Sequence, residues 1–219
     1  MGWETFTYFA AVSMLLSLAG GVTAMAAPRR AAVSLSLSWA GVAVLGAFVA
    51  GMWVSLGRPP MRTMGETRLW YSLFVMAAGA MVYGRWRYRW LLLFTTVLSS
   101  VFCFINIFRP EIHDRTLVPA LQSPFFIPHV TVYMFAYGIL ACAFLLAVAA
   151  LVRRGHDYLE SVDNLVYIGT GLLFTGMLTG SIWAKQAWGD FWDWDPKETW
   201  AAMTAAAYLA YIHLRLTRS

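Results

Sequence analysis

Apolar residues run along this chain in long blocks, interrupted at intervals by short clusters of arginine, proline and acidic residues. Blocks of about 17–25 residues match the length that an α-helix needs to cross the hydrocarbon core of a bilayer. Seven are placed at about 6–27, 31–55, 68–84, 88–108, 128–152, 163–184 and 196–216, the third being the shortest. The pattern predicts an all-α polytopic membrane bundle of about seven transmembrane helices, with 1–219 forming one integral membrane domain. No internal repeat or low-complexity tract interrupts it. The longest polar connections are residues 109–127 and 183–200. Loops of this kind, held on a rigid scaffold, are where function concentrates.

Composition sharpens this picture. Of the 219 residues, 60% are hydrophobic and only 12% charged, which excludes an ordinary soluble domain. The formal net charge of +5 calls for no nucleic acid, because the basic residues sit at the ends of apolar blocks. With the N-terminus outside, the inner side receives Arg29, Arg30, Arg85, Arg87, Arg89, Arg153, Arg154, Arg215 and Arg218. The outer side receives Arg58, Arg62, Arg68, Arg109, Arg115, Lys185 and Lys197. The expected topology is therefore N-terminus out and C-terminus in. The first block carries a cleavage-like Ala24-Met25-Ala26-Ala27, but no basic residue precedes it and Arg29 and Arg30 follow, which suits an uncleaved anchor. Cys103 and Cys142 stand far apart inside apolar blocks, and no Cys-x-x-Cys-His is present.

Candidate chemistry concentrates in 183–200. Trp183, Trp188, Phe191, Trp192, Trp194 and Trp200 are interleaved there with lysines and acids. Neither a soluble core nor a hydrocarbon-spanning helix accommodates that mixture. It suits an outer surface presenting flat aromatic area to a large planar ligand, although tryptophan also forms interfacial belts. A helical turn would place Trp188 and Trp192 on one face. At the end of the stretch, Asp195 suits a helix N-cap, Pro196 the first helical position, and Glu198 the reciprocal acid of a capping box.

Trp188-Gly189-x-x-Trp192-x-Trp194-Asp195 followed by Pro196-Lys197-Glu198-Thr199-Trp200 resembles the tryptophan-rich (WWD) signature of haem-handling cytochrome c biogenesis proteins. The Asp-Pro-Lys-Glu-Thr-Trp ending looks like the CcsA branch rather than the CcmC branch. Leu117-Val118-Pro119-Ala120-Leu121-Gln122-Ser123 with His129-Val130-Thr131-Val132 adds a second match, and Arg58-Pro59-Pro60-Met61-Arg62 a third. The resemblance implies a system II protein that exports haem b and presents it outside for attachment to apocytochrome c, with a CcsB-type membrane partner. It implies a bacterial inner (cytoplasmic) membrane location with the tryptophan-rich segment on the periplasmic face. Whether the chain is the haem-handling subunit of a cytochrome c synthase stays open. A CcmC-like haem transporter without ligase activity, and a structural subunit that binds no haem, are the alternatives.

The resemblance assigns cofactor contact to His129, His213, Trp188, Trp192, Trp194 and Asp195, with His129 and His213 as haem-iron ligands and no catalytic acid or base. By its own position, His129 follows Pro128 in the first turn of the fifth block, where a backbone-bonded interfacial histidine would also fit. His213 lies about 26 Å along the last helix from Pro196, so it cannot share a haem with the tryptophans. His113, among Arg109, Glu111, Asp114 and Arg115, reads as a solvated loop residue. The inner loop containing His156 reads as a connector. Arg109, Arg115, Lys185 and Lys197 are candidate partners for haem propionates. The family pattern continues beyond the His213 position to another span and a second outer histidine, which this sequence lacks. That implies a ligand from a partner, a singly ligated haem or a shortened form.

Overall fold

The computed structural model describes residues 1–114, 123–153 and 158–218. The Leu117–Gln122 motif, Arg115 and His156 lie outside the described residues, as does part of the 109–127 connection. Among the described residues there is no strand. Seven α-helices follow one another: α1 (Trp3–Ala26), α2 (Ala31–Leu56), α3 (Met64–Trp86), α4 (Arg89–Phe108), α5 (Phe126–Arg153), α6 (Leu159–Trp188) and α7 (Pro196–Arg218). Five are long and apolar enough to cross a membrane: α1, α2 with its preceding turn, α4, α5 and α6. The chain is thus built as an integral membrane protein. The apolar stretch of α3 is flanked inside the helix by Glu66, Arg68 and Arg85, and that of α7 by Lys197, Glu198 and Arg215. The third helix is not the shortest: α3 has 23 residues and α4 has 20. Residues 64–67 join α3 because Thr63 caps it, accepting from the Glu66 amide while Glu66 reaches back to the Thr63 amide.

The helices group into two compact units, Met1–Val118 and Pro119–Ser219. In unit 1, α1 and α2 approach through small residues. Ser13 Oγ donates to the Gly41 carbonyl at 2.7 Å, and Ser34 Oγ donates to the Gly20 carbonyl at 2.6 Å. Close backbone approach with serine hydrogen bonds is how helices associate where no hydrophobic effect drives them together. Phe6, Leu45, Phe48, Leu69 and Met76 fill the core around that contact. The connection before α3 is tied down by Glu66, whose carboxylate accepts two bonds from Arg58 at 3.0 Å and one from the Arg62 amide at 2.5 Å.

In unit 2, α5 and α6 form a long hairpin, with Gly176 of α6 under Tyr133 of α5. Helix α7 lies on α6 through Ala205, which joins Leu140 and Leu173 in the core, flanked by Phe174, Met177 and Tyr208. Further along, Asp163 of α6 accepts from Tyr211 Oη at 2.6 Å, Arg215 Nη2 at 2.6 Å and Arg215 Nε at 2.9 Å. This clamp fixes the rotation of α7, because residues 211 and 215 share one helix face.

Candidate functional site

The tryptophan stretch begins inside α6 and leaves it abruptly. Gly189 takes a left-handed conformation (φ 100°), and its amide donates to the Lys185 carbonyl at 3.2 Å, closing the helix. Trp188 is therefore the last helical residue, and Trp192 lies in the non-helical segment beyond. The two do not share a helical turn. Trp192 pairs instead with Trp194, edge to face, with ring centroids 5.6 Å apart at 83°. Trp194 also has a positive φ of 55°, which is uncommon for a bulky residue and marks local strain at a candidate site. The Trp192 indole Nε1 is buried with no hydrogen-bond partner among the described residues.

The segment is held by the start of α7. Asp195 Oδ1 accepts from the Glu198 amide at 2.9 Å, so Asp195 is the N-cap. The Glu198 carboxylate reaches past the N-cap amide to that of Asp193 at 2.7 Å, since the turn at Trp194 brings this amide to the helix end. Thr199 Oγ1 donates to the Trp194 carbonyl at 3.0 Å. Lys197 pairs with Asp195. The Lys197 side chain and the Glu198 amide together hold the Asp195 carboxyl below the usual carboxylate range. With these supports, Trp188 and Trp194 stand 58% and 68% exposed.

His129 sits in the first turn of α5, in a notch on α6. A Cβ on Gly180 would lie 2.6 Å from both His129 Nδ1 and Cε1, so only glycine admits the ring there. The Gly176 carbonyl is 2.8 Å from His129 Nδ1. A carbonyl only accepts, so Nδ1 carries the proton and Nε2 presents a lone pair. Trp183 lies nearly parallel to the imidazole at 5.6 Å and 11°, and Tyr133 meets it edge-on at 4.8 Å. Trp183 in turn meets Trp188 at 6.2 Å. His129, Trp183 and Trp188 are thus brought together, while Trp192 and Trp194 form a separate pair in the following segment. Trp183 is the supporting residue absent from the sequence-based ligand set. Its signal was the spacing of Gly176, Gly180 and Trp183, which places all three on one helix face.

The other histidines differ. His213 is exposed on α7, offset from Tyr211 and Arg215, the residues that the Asp163 clamp turns toward α6. His113 is not the solvated residue expected. Its ring stacks on Trp3 at 3.7 Å and 4°, because the turn Pro110–Ile112 folds it back over the end of α1. Burial is the largest influence on its pKa and lowers it, outweighing the Asn106 backbone hydrogen bond and the charges of Asp114 and Glu111. Among the candidate propionate partners, Arg109 pairs with Glu111 at 3.1 Å, and Lys185 Nζ donates to the Gly189 carbonyl while lying 5.4 Å from the Phe191 ring. No group of three or more His, Cys, Asp or Glu side chains converges among the described residues.

An α-helical membrane chain with one imidazole set in a glycine notch beside a capped tryptophan segment defines a narrow class. Residues 6–219 match the family model described as cytochrome C assembly protein, and the chain belongs to that family. Among relatives, it is 32% identical over 205 residues to the cytochrome c biogenesis protein CcsA of Guillardia theta, covering 76% of this chain and 67% of that protein. It is 30% identical over 211 residues to the CcsA of Cuscuta exaltata, covering 78% and 68%. Against the CcsA of Chlamydomonas reinhardtii it is 36% identical over 136 residues, 56% of this chain but only 38% of the relative. The chain thus spans between about two fifths and two thirds of the length of these relatives. A family that assembles cytochromes c handles haem.

Proposed function

We propose that this chain binds haem b on its outer tryptophan segment and presents it for attachment to apocytochrome c. The observation that carries the reading is the set of His129: Nδ1 is committed to the Gly176 carbonyl and Nε2 is left as an oriented ligand beside Trp183 and Trp188. A hydrogen bond on the far nitrogen of a metal-binding histidine fixes its tautomer and raises its basicity. The unpartnered Trp192 N–H fits the same ligand, since a propionate carboxylate is an acceptor. Trp188 and Trp194 offer exposed faces to a porphyrin. When bound, haem supplies the reactive vinyl groups, and the chain contributes orientation and control of the iron.

In this reading His213 contacts haem at a second level, near the inner side, and receives it before export. Asp195 acts on the platform through its cap. The partners are apocytochrome c and a CcsB-type membrane protein, and the location is a bacterial cytoplasmic membrane with the tryptophans outside. A visible spectrum of the purified protein tests the reading first. A Soret band lost in Trp192→Ala/Trp194→Ala is expected, and a colourless wild type that takes up no added haem would overturn it. Formation of thioether-linked product from a reporter apocytochrome then separates a synthase subunit from a transporter of the CcmC kind.

A further inference from the structure

One end of unit 1 carries charge of a single sign. Ala24 of α1, Tyr83 of α3 and Leu92 of α4 are buried together there, with Ala31 and Leu35 of α2 packed against them. A Cβ on Gly21 of α1 would lie 3.0 Å from the Leu93 side chain of α4. These contacts bring the turn Pro28–Arg30 and the turn between α3 and α4 to the same end of the four helices. The two turns and the helix ends beside them carry Arg29, Arg30, Arg85, Arg87 and Arg89, all exposed. The acids of residues 1–118 are Glu4, Glu66, Glu111 and Asp114. They belong to the first turns of α1 and α3 and to the segment after α4, all at the opposite end. None of the five arginines forms an ion pair among the described residues.

The arginines are set among rings. The Arg85 guanidinium carbon lies 5.3 Å from the Trp86 ring centroid, and that of Arg87 lies 5.6 Å from Tyr83. Arg87 closes α3 in a left-handed conformation (φ 62°), its amide donating to the Tyr83 carbonyl at 2.9 Å. A guanidinium carries several N–H donors, so a ring contact leaves some of them for an acceptor. Trp86, Tyr88 and Trp90, half-buried, alternate with the arginines, and such residues settle at the level of lipid headgroups. The membrane-length segments of α1, α2 and α4 each have one terminus here, so the arginines lie where hydrocarbon gives way to phosphate. The turns are short, residues 27–30 and 87–88, and hold nothing out toward a soluble partner. Clusters of about four to eight basic residues beside a membrane helix bind anionic lipid. We propose that this end of unit 1 binds anionic phospholipid, its arginines pairing with the headgroup phosphates. The inference is independent of haem.

For the test, the purified full chain in neutral detergent is titrated with phosphatidylglycerol or phosphatidylcholine, and retained lipid is counted by native mass spectrometry. Phosphatidylglycerol should be held about tenfold more tightly. Arg29→Gln/Arg30→Gln and Arg87→Gln/Arg89→Gln should each remove most of that preference, while Arg109→Gln, at the opposite end, should leave it. Basic residues at helix ends also orient a chain during insertion. Arg29→Lys, Arg30→Lys, Arg85→Lys, Arg87→Lys and Arg89→Lys combined keep that charge. This variant should still prefer phosphatidylglycerol, but severalfold less, because an ammonium lacks the paired donors of a guanidinium. Equal retention of the two lipids by the wild type overturns the proposal. So does a preference unchanged in the glutamine pairs or in the lysine variant, or one lost equally in Arg109→Gln. Poly-glutamate bound more tightly than the lipid would make the patch a protein-docking surface and overturn it too. Displacement of the lipid by inorganic phosphate at equal concentration would do the same.

Discussion

Gly180 sets the position of the His129 ring at the candidate site. The His129 ring occupies the space that a Cβ there would need, 2.6 Å away, so Gly180→Ala must push the imidazole off its bond to the Gly176 carbonyl. Loss of an outer-shell partner of a metal-binding histidine typically costs about 10–100-fold in affinity. Haem titration of Gly180→Ala should show a loss of that order. Gly171→Ala, on the same helix with open space around it, should bind as wild type. Equal affinity in both variants would mean that the His129 setting does not govern binding. At this scale the sequence offers His129 and the tryptophans as candidates by residue type alone, and their part in haem binding rests on the proposal above. The sequence was misleading for His113, whose charged neighbours in sequence suggest water. The contact with Trp3 crosses more than a hundred positions, and no local pattern encodes it.

Among the elements, α7 has both of its ends held by carboxylates, Asp195 at the start and Asp163 of α6 near the other end. At its start Asp195 caps the helix and orders the Trp192–Trp194 turn, so Asp195→Ala should cost about 1 kcal/mol and Asp195→Asn much less. The folded pKa of Asp195 is depressed, so its contribution is full above the unfolded value of about 3.9 and is lost as pH falls toward the folded one. Thermal midpoints measured downward from neutral pH should therefore converge for wild type and Asp195→Ala only in strong acid. At the other end, Asp163→Ala strands Arg215 and Tyr211. Faster hydrogen exchange over the last turns of α7, with α5 unchanged, is the expected result; unaltered protection would show that apolar contacts alone seat the helix. The Asp195 cap was readable from Asp-Pro-x-x in sequence, because capping is local. The Asp163 clamp was not, since it joins residues about fifty positions apart.

For the whole molecule, hydropathy located each of the seven α-helices among the described residues, and the next step is to find which of them cross. Five meet the length and apolarity of a span; α3 and α7 do not, and both carry charged residues near their ends. The two cases put different loops on the same side. If all seven cross, the connection after α1 and the one after α6 lie on opposite faces, Arg29 inside and Asp190 outside. If α3 does not cross, every later loop changes side, and Arg29 and Asp190 share a face. We expect seven crossings, because the charges of α3 sit near its ends: Glu66 is neutralised by Arg58, and 69–84 between Arg68 and Arg85 is uncharged. Both test positions are exposed, and native Cys103 and Cys142 are buried, so Arg29→Cys and Asp190→Cys can be read against a quiet background. An impermeant thiol reagent added to intact cells should label the cysteine at 190 and spare the one at 29. Labelling of both, or of neither, would remove α3 from the membrane and put the tryptophan segment on the same side as Arg29 and Arg30. A tag after residue 218, protected from outside protease, settles α7 in the same experiment.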